Sequence, residues 1–575
     1  MNMKAKYFIT LVMTVLTLGV VAQEENDGGL GEQTIIIYNE YTPVLKDATR
    51  MQFLPVIVDT VKITPVFEYS VQPALFKTRF SPSPITAASV KGEPLRPLDN
   101  GLIKIGFGNY LSPLVEVYYN NRRSRDYSIG AFAKHHSSFG SIKNSADQRI
   151  YSGFNNSQVN AYGKKYFYSS TISGDIDFKS NQIHYYGYNP NIILGSADAV
   201  KPFKREEMEM QRYNRLKANF GIVSNNTSKK RMNYTSNIAY QYFFTFTDDI
   251  QHKIDFRSDL NKLVKNNRYG MDIGFLFNNN QSTLSNYNDI NLDLNPYFKH
   301  YTKSWQIQIG VNTTGEFGGD SVRYHFYPNV YFQHNISNTI IPYAGFKGYI
   351  RNNNLEYISS INPFVNNLNN IKVTNYAQVI DLGLKGNISK NIYFHINGNY
   401  SKIDDMAFFV NDITSILDNK FVMEYTNVER FAGYGEISVD NIGSFSFILK
   451  GHYYYYSYIK NRQKPWHMPN VDVSLNANYK LNEKIDFGIN VNFIGNRWAK
   501  SFAHTTDHTV YPDGLSWHEI QLKPIIDVSL YGEYKFASNF YAFLNMNNIT
   551  GQKQYVWNNY MSQGFNLMLG IKYLF

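Results

Sequence analysis

The stretch VDVSLNANYK, residues 471–480, decides the fold. Its odd-numbered positions are apolar or aromatic, and every position between them is polar. Because successive side chains of a β-strand point to opposite faces, this alternation predicts a strand with one apolar and one polar face. The same alternation occurs in residues 290–298, 485–493 and 565–575, so we expect such strands along most of the chain.

The composition limits what these strands can build. The chain has 575 residues, of which 47 are Tyr, 40 are Phe and 5 are Trp, and it has no Cys. A mean hydropathy of −0.37 leaves no room for a bundle of membrane-spanning helices. The aromatic content argues against a disordered chain. The lack of Cys excludes a disulfide scaffold and a thiolate metal site.

Strand length and polarity favour a membrane barrel over a soluble all-β protein, the alternative that would also alternate. The alternating runs often cover about 10–14 residues, whereas strands of soluble proteins average about 5–6. Asn, Asp, Ser and Lys on the polar faces suit a water-filled lumen. Aromatic pairs at strand ends, such as Tyr118–Tyr119 and Phe243–Phe244, suit a membrane interface. The predicted fold class is therefore all-β, a closed antiparallel transmembrane β-barrel.

Turn signals give the strand number and the closing strand. A count that begins at Leu102–Asn109 gives about 22 strands in residues 101–575, and uncertain boundaries permit 16–22. Residues 166–188 form either one bulged strand or two. We expect the chain to end on a barrel-closing strand whose apolar face consists of Phe565, Leu567, Leu569, Ile571, Tyr573 and Phe575.

Short and long connections should alternate around such a barrel, with the short ones in the periplasm and the long ones outside the cell. Tight connections are predicted at 163–165, 335–339, 387–391, 440–443, 481–484 and 536–539. Long connections are predicted at 188–210, 351–374, 403–420 and 496–522.

The N-terminal 100 residues differ from the rest. Residues 1–22 are predicted to be a secretory signal peptide, with Lys4 and Lys6 before an apolar run and cleavage before Gln23. An N-terminal membrane anchor is the alternative. Residues 23–100 hold eight of the 19 prolines, which predicts an extended periplasmic or lumenal segment with short strands. Residues 101–575 are predicted to form the barrel.

The residues that could bind a metal or act in catalysis do not combine into a site. His504, Asp507 and His508 have a spacing that suits a metal, but loop residues of these types are usually only solvated. His135 and His136 are neighbours on a strand, so they point to opposite faces. We therefore predict no catalytic, cofactor or metal site, no enzymatic activity and no nucleic-acid partner. Lumenal tyrosines such as 454 and 456 either stack on sugars or fill space, and we favour filling.

Several short motifs resemble the β-barrel of TonB-dependent outer-membrane receptors, especially those of Bacteroidetes. They cover most of residues 101–575 in the family's order. They are Ile105–Tyr110, Tyr186–Tyr188, Asn362–Val365, Phe408–Asp412, Trp466–Pro469, Asn547–Ile549 and Gly570–Phe575. The resemblance implies a Gram-negative outer-membrane protein, a transport or receptor function, and contact with outer-membrane lipid and lipopolysaccharide.

The chain departs from this family at its N-terminus, where we find no plug-like sequence. Thr34, Ile35, Ile36, Ile37 and Tyr38 resemble a TonB box, the peptide that pairs as a strand with TonB. The lack of a plug argues against TonB as a partner, because nothing obvious would be pulled. The alternative is a strand that binds a periplasmic or outer-membrane protein.

Two functions follow from these expectations. The first is a transport or receptor component whose lumen is closed by the N-terminal segment or by a partner. The second is a barrel that does not transport and instead serves as a scaffold subunit of a cell-envelope complex. In both cases we expect the barrel in the outer membrane and the N-terminal segment in the periplasm.

Overall fold

The structure is a computed structural model that describes residues 98–144, 146–188, 205–225, 231–282, 286–318, 321–337, 339–366, 371–415, 417–458, 463–504 and 515–575. The described strands are β1 Gly101–Gly108, β2 Ser112–Asn120, β3 Tyr127–Ser138, β4 Ser141–Lys143, β5 Arg149–Tyr151, β6 Phe154–Tyr166, β7 Ser170–His184, β8 Met210–Ser224, β9 Asn233–Thr245, β10 Ile250–Val264, β11 Asn267–Gln281, β12 Asn286–Tyr301, β13 Trp305–Gly318, β14 Ser321–His334, β15 Ile340–Arg351, β16 Thr374–Ser389, β17 Ile392–Asn411, β18 Phe421–Ile442, β19 Phe445–Tyr458, β20 Val471–Leu481, β21 Ile485–Ile494, β22 Arg497–His504, β23 Leu515–Leu522, β24 Ile525–Lys535, β25 Phe540–Asn547, β26 Tyr555–Trp557, β27 Tyr560–Met561 and β28 Asn566–Leu574.

Twenty-two of these strands form one closed antiparallel sheet. Each barrel strand pairs with its neighbours along the chain, and β1 pairs with both β2 and β28. Ile105 of β1 thus lies opposite Val115 on one side and Ile571 on the other. A sheet that closes on itself has no edge with unpaired backbone groups. The predicted fold class and the predicted 22 strands are confirmed.

Six short strands lie in the connections between barrel strands. They form three hairpins, in which β4 pairs with β5, β22 with β23, and β26 with β27. Helix α1, Leu355–Ile361, begins after Asn354, whose side chain accepts a hydrogen bond from the Tyr357 N–H. The described part of the chain contains no helix with the length and apolar character that a membrane crossing needs.

The two ends of the barrel differ in their connections. One end, which we call the short-turn end, carries Gly101, Phe575 and turns such as 482–484 and 536–539. The other end, which we call the long-connection end, carries the connections that contain the three hairpins and helix α1. The long connections therefore lie at one end, as predicted, although this end also carries short turns such as 109–111 and 246–249.

Two predicted boundaries are wrong. Residues 163–165 lie inside β6, where Gly163 pairs with Ile129 on one side and Gly174 on the other, and the turn follows at 167–169. The connection predicted at 403–420 begins only after Asn411, because β17 continues across a bulge and pairs with the start of β18. In both places turn-like residues are held in the ladder by two neighbouring strands.

The outer face of the barrel is apolar and the inner face is polar. Exposed apolar side chains recur at every second position of many strands, among them Ile105, Ile176, Phe220, Leu382, Ile396, Leu569 and Ile571. Inward positions carry polar groups, among them Asp177, Arg257, Asn278, Asp293 and Glu316. This arrangement suits lipid outside the barrel and water inside it.

Inward-facing tyrosines pack over glycines of the neighbouring strand. The Tyr531 ring lies over Gly488, and the Tyr343 ring lies over Gly383, in positions that a Cβ would occupy. Both pairs are directly opposite one another in the ladder. Tyrosines that cover strand glycines supply the packing that glycine lacks. Part of the high tyrosine content is therefore explained by tyrosines that line the inner wall of the barrel.

We predict that Gly488→Ala destabilises the barrel. The new Cβ would overlap the Tyr531 ring and displace its hydroxyl from Asn478, to which it donates a hydrogen bond. The free energy of unfolding should fall by about 1–3 kcal/mol. The measurement is the temperature at which the detergent-solubilised barrel loses its compact mobility on a gel.

Gly345→Ala is the matched control. Gly345 also faces the lumen, but its nearest neighbours would lie 3.7 Å from an added Cβ, an ordinary contact. A transition temperature lowered equally by both substitutions would contradict the packing role of the Tyr531 ring.

Candidate functional site

Residues from distant parts of the ring meet at the long-connection end in an apolar group that we call the loop cluster. Tyr213 belongs to β8, and its hydroxyl donates a hydrogen bond of 2.7 Å to the carbonyl of Pro363, which follows β15 seven strands further round the ring. Such a contact requires the connection to run inward across the end of the barrel. The loop cluster comprises Tyr185, Tyr213, Phe243, Leu355, Ile358, Phe364, Val365, Phe409, Phe421 and Tyr560.

Helix α1 attaches the connection 352–373 to the opposite inner wall. Leu355 and Ile358 are buried in the loop cluster, whereas Glu356 points to the barrel wall. Arg215 of β8 binds Glu356 at 2.8 Å and Asp177 of β7 at 2.5 Å. Arg215 and both carboxylates are largely shielded from water. Loss of one partner would leave a shielded charge uncompensated, so the triad fixes where α1 lies against the wall.

Tyr560 joins three of the connections. Its ring stacks on Phe364 at a centroid distance of 3.5 Å, and its hydroxyl donates a hydrogen bond of 2.5 Å to the carbonyl of Asn419. The Asn419 amide in turn donates to the carbonyl of Tyr185 at 2.8 Å. Tyr560 and Asn419 thus link the connection that contains Tyr560, 548–565, to the three others, which are 185–209, 352–373 and 412–420.

A second apolar group adjoins the loop cluster and contains Trp466, which is 2% exposed, and Phe408, which is 1% exposed. The neighbouring His467 is buried between two backbone groups. Its Nδ1 lies 3.0 Å from the Phe409 carbonyl, and its Nε2 accepts a hydrogen bond from the Asn558 N–H at 3.2 Å. This pairing requires the neutral ring, and burial lowers the pKa of His467 to about 4.

Two buried charged groups lie beside His467. Arg497 donates to the carbonyls of Val556, at 3.0 Å, and Lys523, at 3.3 Å, and burial lowers its pKa to about 10. Asp418 accepts hydrogen bonds from Ser501 at 2.8 Å and Asn559 at 3.3 Å. Burial outweighs these bonds and raises the pKa of Asp418 to about 6.

A cavity of about 380 Å³ lies between helix α1 and the inner wall. Aromatic rings form much of its lining, and amide, hydroxyl and charged groups lie between them. Its lining residues are Phe154, Asn156, Lys179, Asn181, Ile183, Tyr186, Tyr213, Arg215, Phe243, Glu356, Ser359, Ser360, Pro363 and Phe364. The arrangement suits small solutes that combine apolar faces with hydrogen-bonding groups.

The residues singled out in the sequence do not meet in this region. Thr34–Tyr38 lie outside the described residues, as do Asp507 and His508. His136 hydrogen-bonds to Ser112 at 3.0 Å. Within the described ranges no three His, Asp or Glu side chains form a group that could hold a metal. The terminal strand β28 lies between β25 and β1 in the ring.

Sequence reasoning did not find the loop cluster. A weak signal was available, because aromatic and amide residues recur in the motifs Asn362–Val365 and Phe408–Asp412, where a solvated loop would need neither. Nothing local indicates that Tyr560 and Phe364 stack.

We predict that Tyr560→Ala opens the loop cluster. The substitution removes the ring stacked on Phe364 and the hydrogen bond to Asn419, so local stability should fall by about 3–5 kcal/mol. Hydrogen exchange of residues 355–366 and 417–420 should accelerate, whereas exchange in the barrel strands should not change. Tyr168→Ala at the short-turn end, where Tyr168 is 97% exposed, is the control and should change neither.

We predict that Asp418 makes the loop cluster less stable as the pH rises. The native state retains a proton on Asp418 up to about pH 6 that the open state loses near its ordinary pKa of 3.8. Its contribution to stability is therefore full below pH 3.8 and is lost as the pH rises through about 6. Protease resistance of wild type relative to Asp418→Asn should fall as the pH rises from 3.8 to about 6 and should level off above that range.

Comparing these two proteins at each pH cancels the opposing effect of His467, which is present in both. A ratio of cleavage rates that is constant across this range would contradict the assignment to Asp418.

Comparison with known proteins identifies the fold. No protein-family model and no curated protein sequence matches the chain. The iron transporter FrpB from Neisseria meningitidis aligns with 83% of this chain and 81% of its own, with a TM-score of 0.61 and 9% identity. The pyoverdine outer-membrane receptor FpvA from Pseudomonas aeruginosa PAO1 aligns with 84% of this chain and 79% of its own, with a TM-score of 0.61 and 11% identity. The ferric-catecholate import receptor Fiu from E. coli K12 aligns with 84% of this chain and 82% of its own, with a TM-score of 0.59 and 8% identity.

At this level of identity the shared property is the fold. The chain has the 22-strand barrel of outer-membrane receptors and transporters, as its resemblance to TonB-dependent receptors implied. That fold supports an outer-membrane location. These neighbours are named as transporters and receptors.

Proposed function

We propose that the chain is an outer-membrane barrel of TonB-dependent-receptor type that acts as a transport or receptor component. The observation that carries this proposal is the loop cluster at the end of a wide, polar-walled barrel. A barrel of more than about 16 strands leaves a lumen wide enough for solutes. Connections that meet across its end through buried aromatic contacts are suited to control entry.

Residues 23–100 or a partner protein would close the rest of the lumen. A wide open pore would let solutes leak across the outer membrane, so a second barrier is needed. The Arg215 triad and helix α1 attach the loop cluster to the inner wall.

Thr34–Tyr38 would be the segment that binds TonB or another periplasmic protein. A β-prone peptide near the N-terminus of the mature chain suits pairing with a periplasmic protein by strand addition. The partner is either TonB, as the resemblance implies, or another envelope protein, as the scaffold alternative requires.

The test is a mild-detergent purification of the tagged full-length protein from its native membrane, beside variants. One variant lacks residues 23–100, and the other carries Ile36→Pro, which removes a ladder donor from the peptide. Thr34→Ser is the control. We expect TonB or another periplasmic partner to co-purify with wild type and Thr34→Ser, and to be lost from both other variants.

Conductance in planar bilayers separates the two functions. A transport component should stay closed at full length and show large openings when residues 23–100 are removed. A scaffold would lose stoichiometric partners with the same deletion but stay closed in both forms. A lone barrel that is closed in both forms and carries no partner would contradict both functions.

A further inference from the structure

An unbroken row of aromatic rings runs along one part of the inner wall. Seven inward-facing side chains form it, and each ring contacts the next at a centroid distance between 4.8 Å and 6.4 Å. We call it the aromatic row. In spatial order it comprises Tyr331, Tyr343, His395, Tyr434, His452, Tyr454 and Tyr456.

The ladder registers place these rings on the lumenal face. On β19 the exposed residues Tyr453 and Tyr455 point outward, so Tyr454 between them points inward. His452 lies directly opposite Tyr434 of β18, and the two rings are 4.8 Å apart. All seven rings are only partly buried, so part of each faces the lumen.

A glycine lets the row cross β16. Tyr343 of β15 and His395 of β17 are separated by this strand, yet their rings are 5.7 Å apart. The strand has Gly383 at the crossing, and the Tyr343 ring occupies the place of the missing side chain. The Tyr343 hydroxyl then lies 2.7 Å from Nε2 of His395.

The row extends from near the short-turn end to the long-connection end. Tyr331 lies three residues before His334, the last residue of β14 at the short-turn end. At the other end of the row, Tyr456 contacts the buried Phe408 at 6.4 Å in an edge-on geometry. Phe408 belongs to the apolar group around Trp466, beside the loop cluster. A solute that follows the row would therefore pass from that group towards the opposite end.

Hydrogen-bonding groups accompany the rings. Asn397 donates to the Tyr343 hydroxyl at 2.9 Å, and the Tyr434 hydroxyl donates to Glu436. Asp472 lies opposite His452 in the ladder. An aliphatic ligand would displace water from such groups and offer them no hydrogen bonds, at a cost in desolvation. An inorganic anion would not use the ring faces.

Neutral sugars match both features of the row. A pyranose ring has C–H faces that pack on aromatic rings, and a rim of hydroxyls that donate and accept hydrogen bonds. The spacing of the rings lets successive units of one extended chain lie on successive rings. We propose that the aromatic row is a binding track for a linear neutral oligosaccharide. This inference deepens the proposed transport function and rests on it for its biological purpose.

The space-filling interpretation of these tyrosines, favoured from sequence, makes a different prediction. Rings that only fill the wall would pack over glycines singly, as Tyr531 does over Gly488. In the row Tyr343 also covers a glycine, Gly383, but every ring contacts another ring, and the contacts continue across the strands from β14 to β19. Continuity from ring to ring is what a sliding ligand needs and what wall packing does not require.

The test is saturation-transfer NMR on the full-length protein in lauryldimethylamine oxide, a detergent without sugar. The probes are maltoheptaose, cellohexaose and xylohexaose, each titrated separately. We expect at least one to bind with a Kd of about 1 mM, as a few weak stacking contacts would give. Transfer should be strongest to the ring C–H protons of the sugar.

Two substitutions in one tyrosine run form a matched pair. Tyr454→Ala removes a ring from the row and should weaken binding about five- to tenfold, the effect of losing one stacking contact. Tyr455→Ala removes the adjacent, outward-facing ring, which is 56% exposed, and should leave the Kd unchanged. Tyr454→Phe keeps the ring and should bind within about twofold of wild type. Compact mobility on a gel confirms that each variant is folded.

The inference would be overturned if none of the three sugars showed saturation transfer. It would also be overturned if Tyr454→Ala and Tyr455→Ala weakened binding equally. Neither result depends on a protein partner or on conductance. A chain that binds sugar along the row but shows no transport would retain the track and lose the proposed transport function. The two proposals therefore fail separately.

Discussion

Closure of the sheet between its first and last strands is the constraint on which the rest of the structure depends. The ladder of β1 with β28 removes the only two edges that a 22-strand sheet would have. It also fixes the circumference, and with it an interior too wide to be filled by side chains from the wall alone. Such a barrel must therefore fill or cover its interior in additional ways, and the described residues show two of them.

The first means is local and the second is long-range. Tyrosines over glycines, such as Tyr531 over Gly488, line the wall with residues that are ladder neighbours. The connections at one end cross the barrel and pack on one another, with the Tyr213–Pro363 hydrogen bond as the clearest sign of that crossing. Buried groups such as Asp418 and His467 keep the charge states that burial favours, so the cluster combines tight packing with a dependence on pH.

Sequence reasoning succeeds where structure depends on neighbours along the chain. Alternation in residues 471–480 is a property of one strand, and the strand number follows from repeating it. The fold class was therefore predictable, whereas the boundary at 163–165 was not, because pairing with both neighbouring strands held those residues in the ladder. The loop cluster was out of reach for a stronger reason. Phe364 and Tyr560 are far apart in sequence, and no periodicity links them.

The aromatic row and the apolar group around Trp466 share β17, and this has a consequence for how a solute would enter. The strand carries His395 near the short-turn end and Phe408 at the long-connection end. Phe408 contacts the last ring of the row, Tyr456, and is itself only 1% exposed, so the wall next to the end of the row is covered. Access to the row from that side requires the covering connections to separate, whereas the rings below, fixed in the ladder, need not move. The surface proposed for passage and the covered ring beside its end are then adjacent parts of one strand, so a change in how the connections pack would act on the end of the row alone.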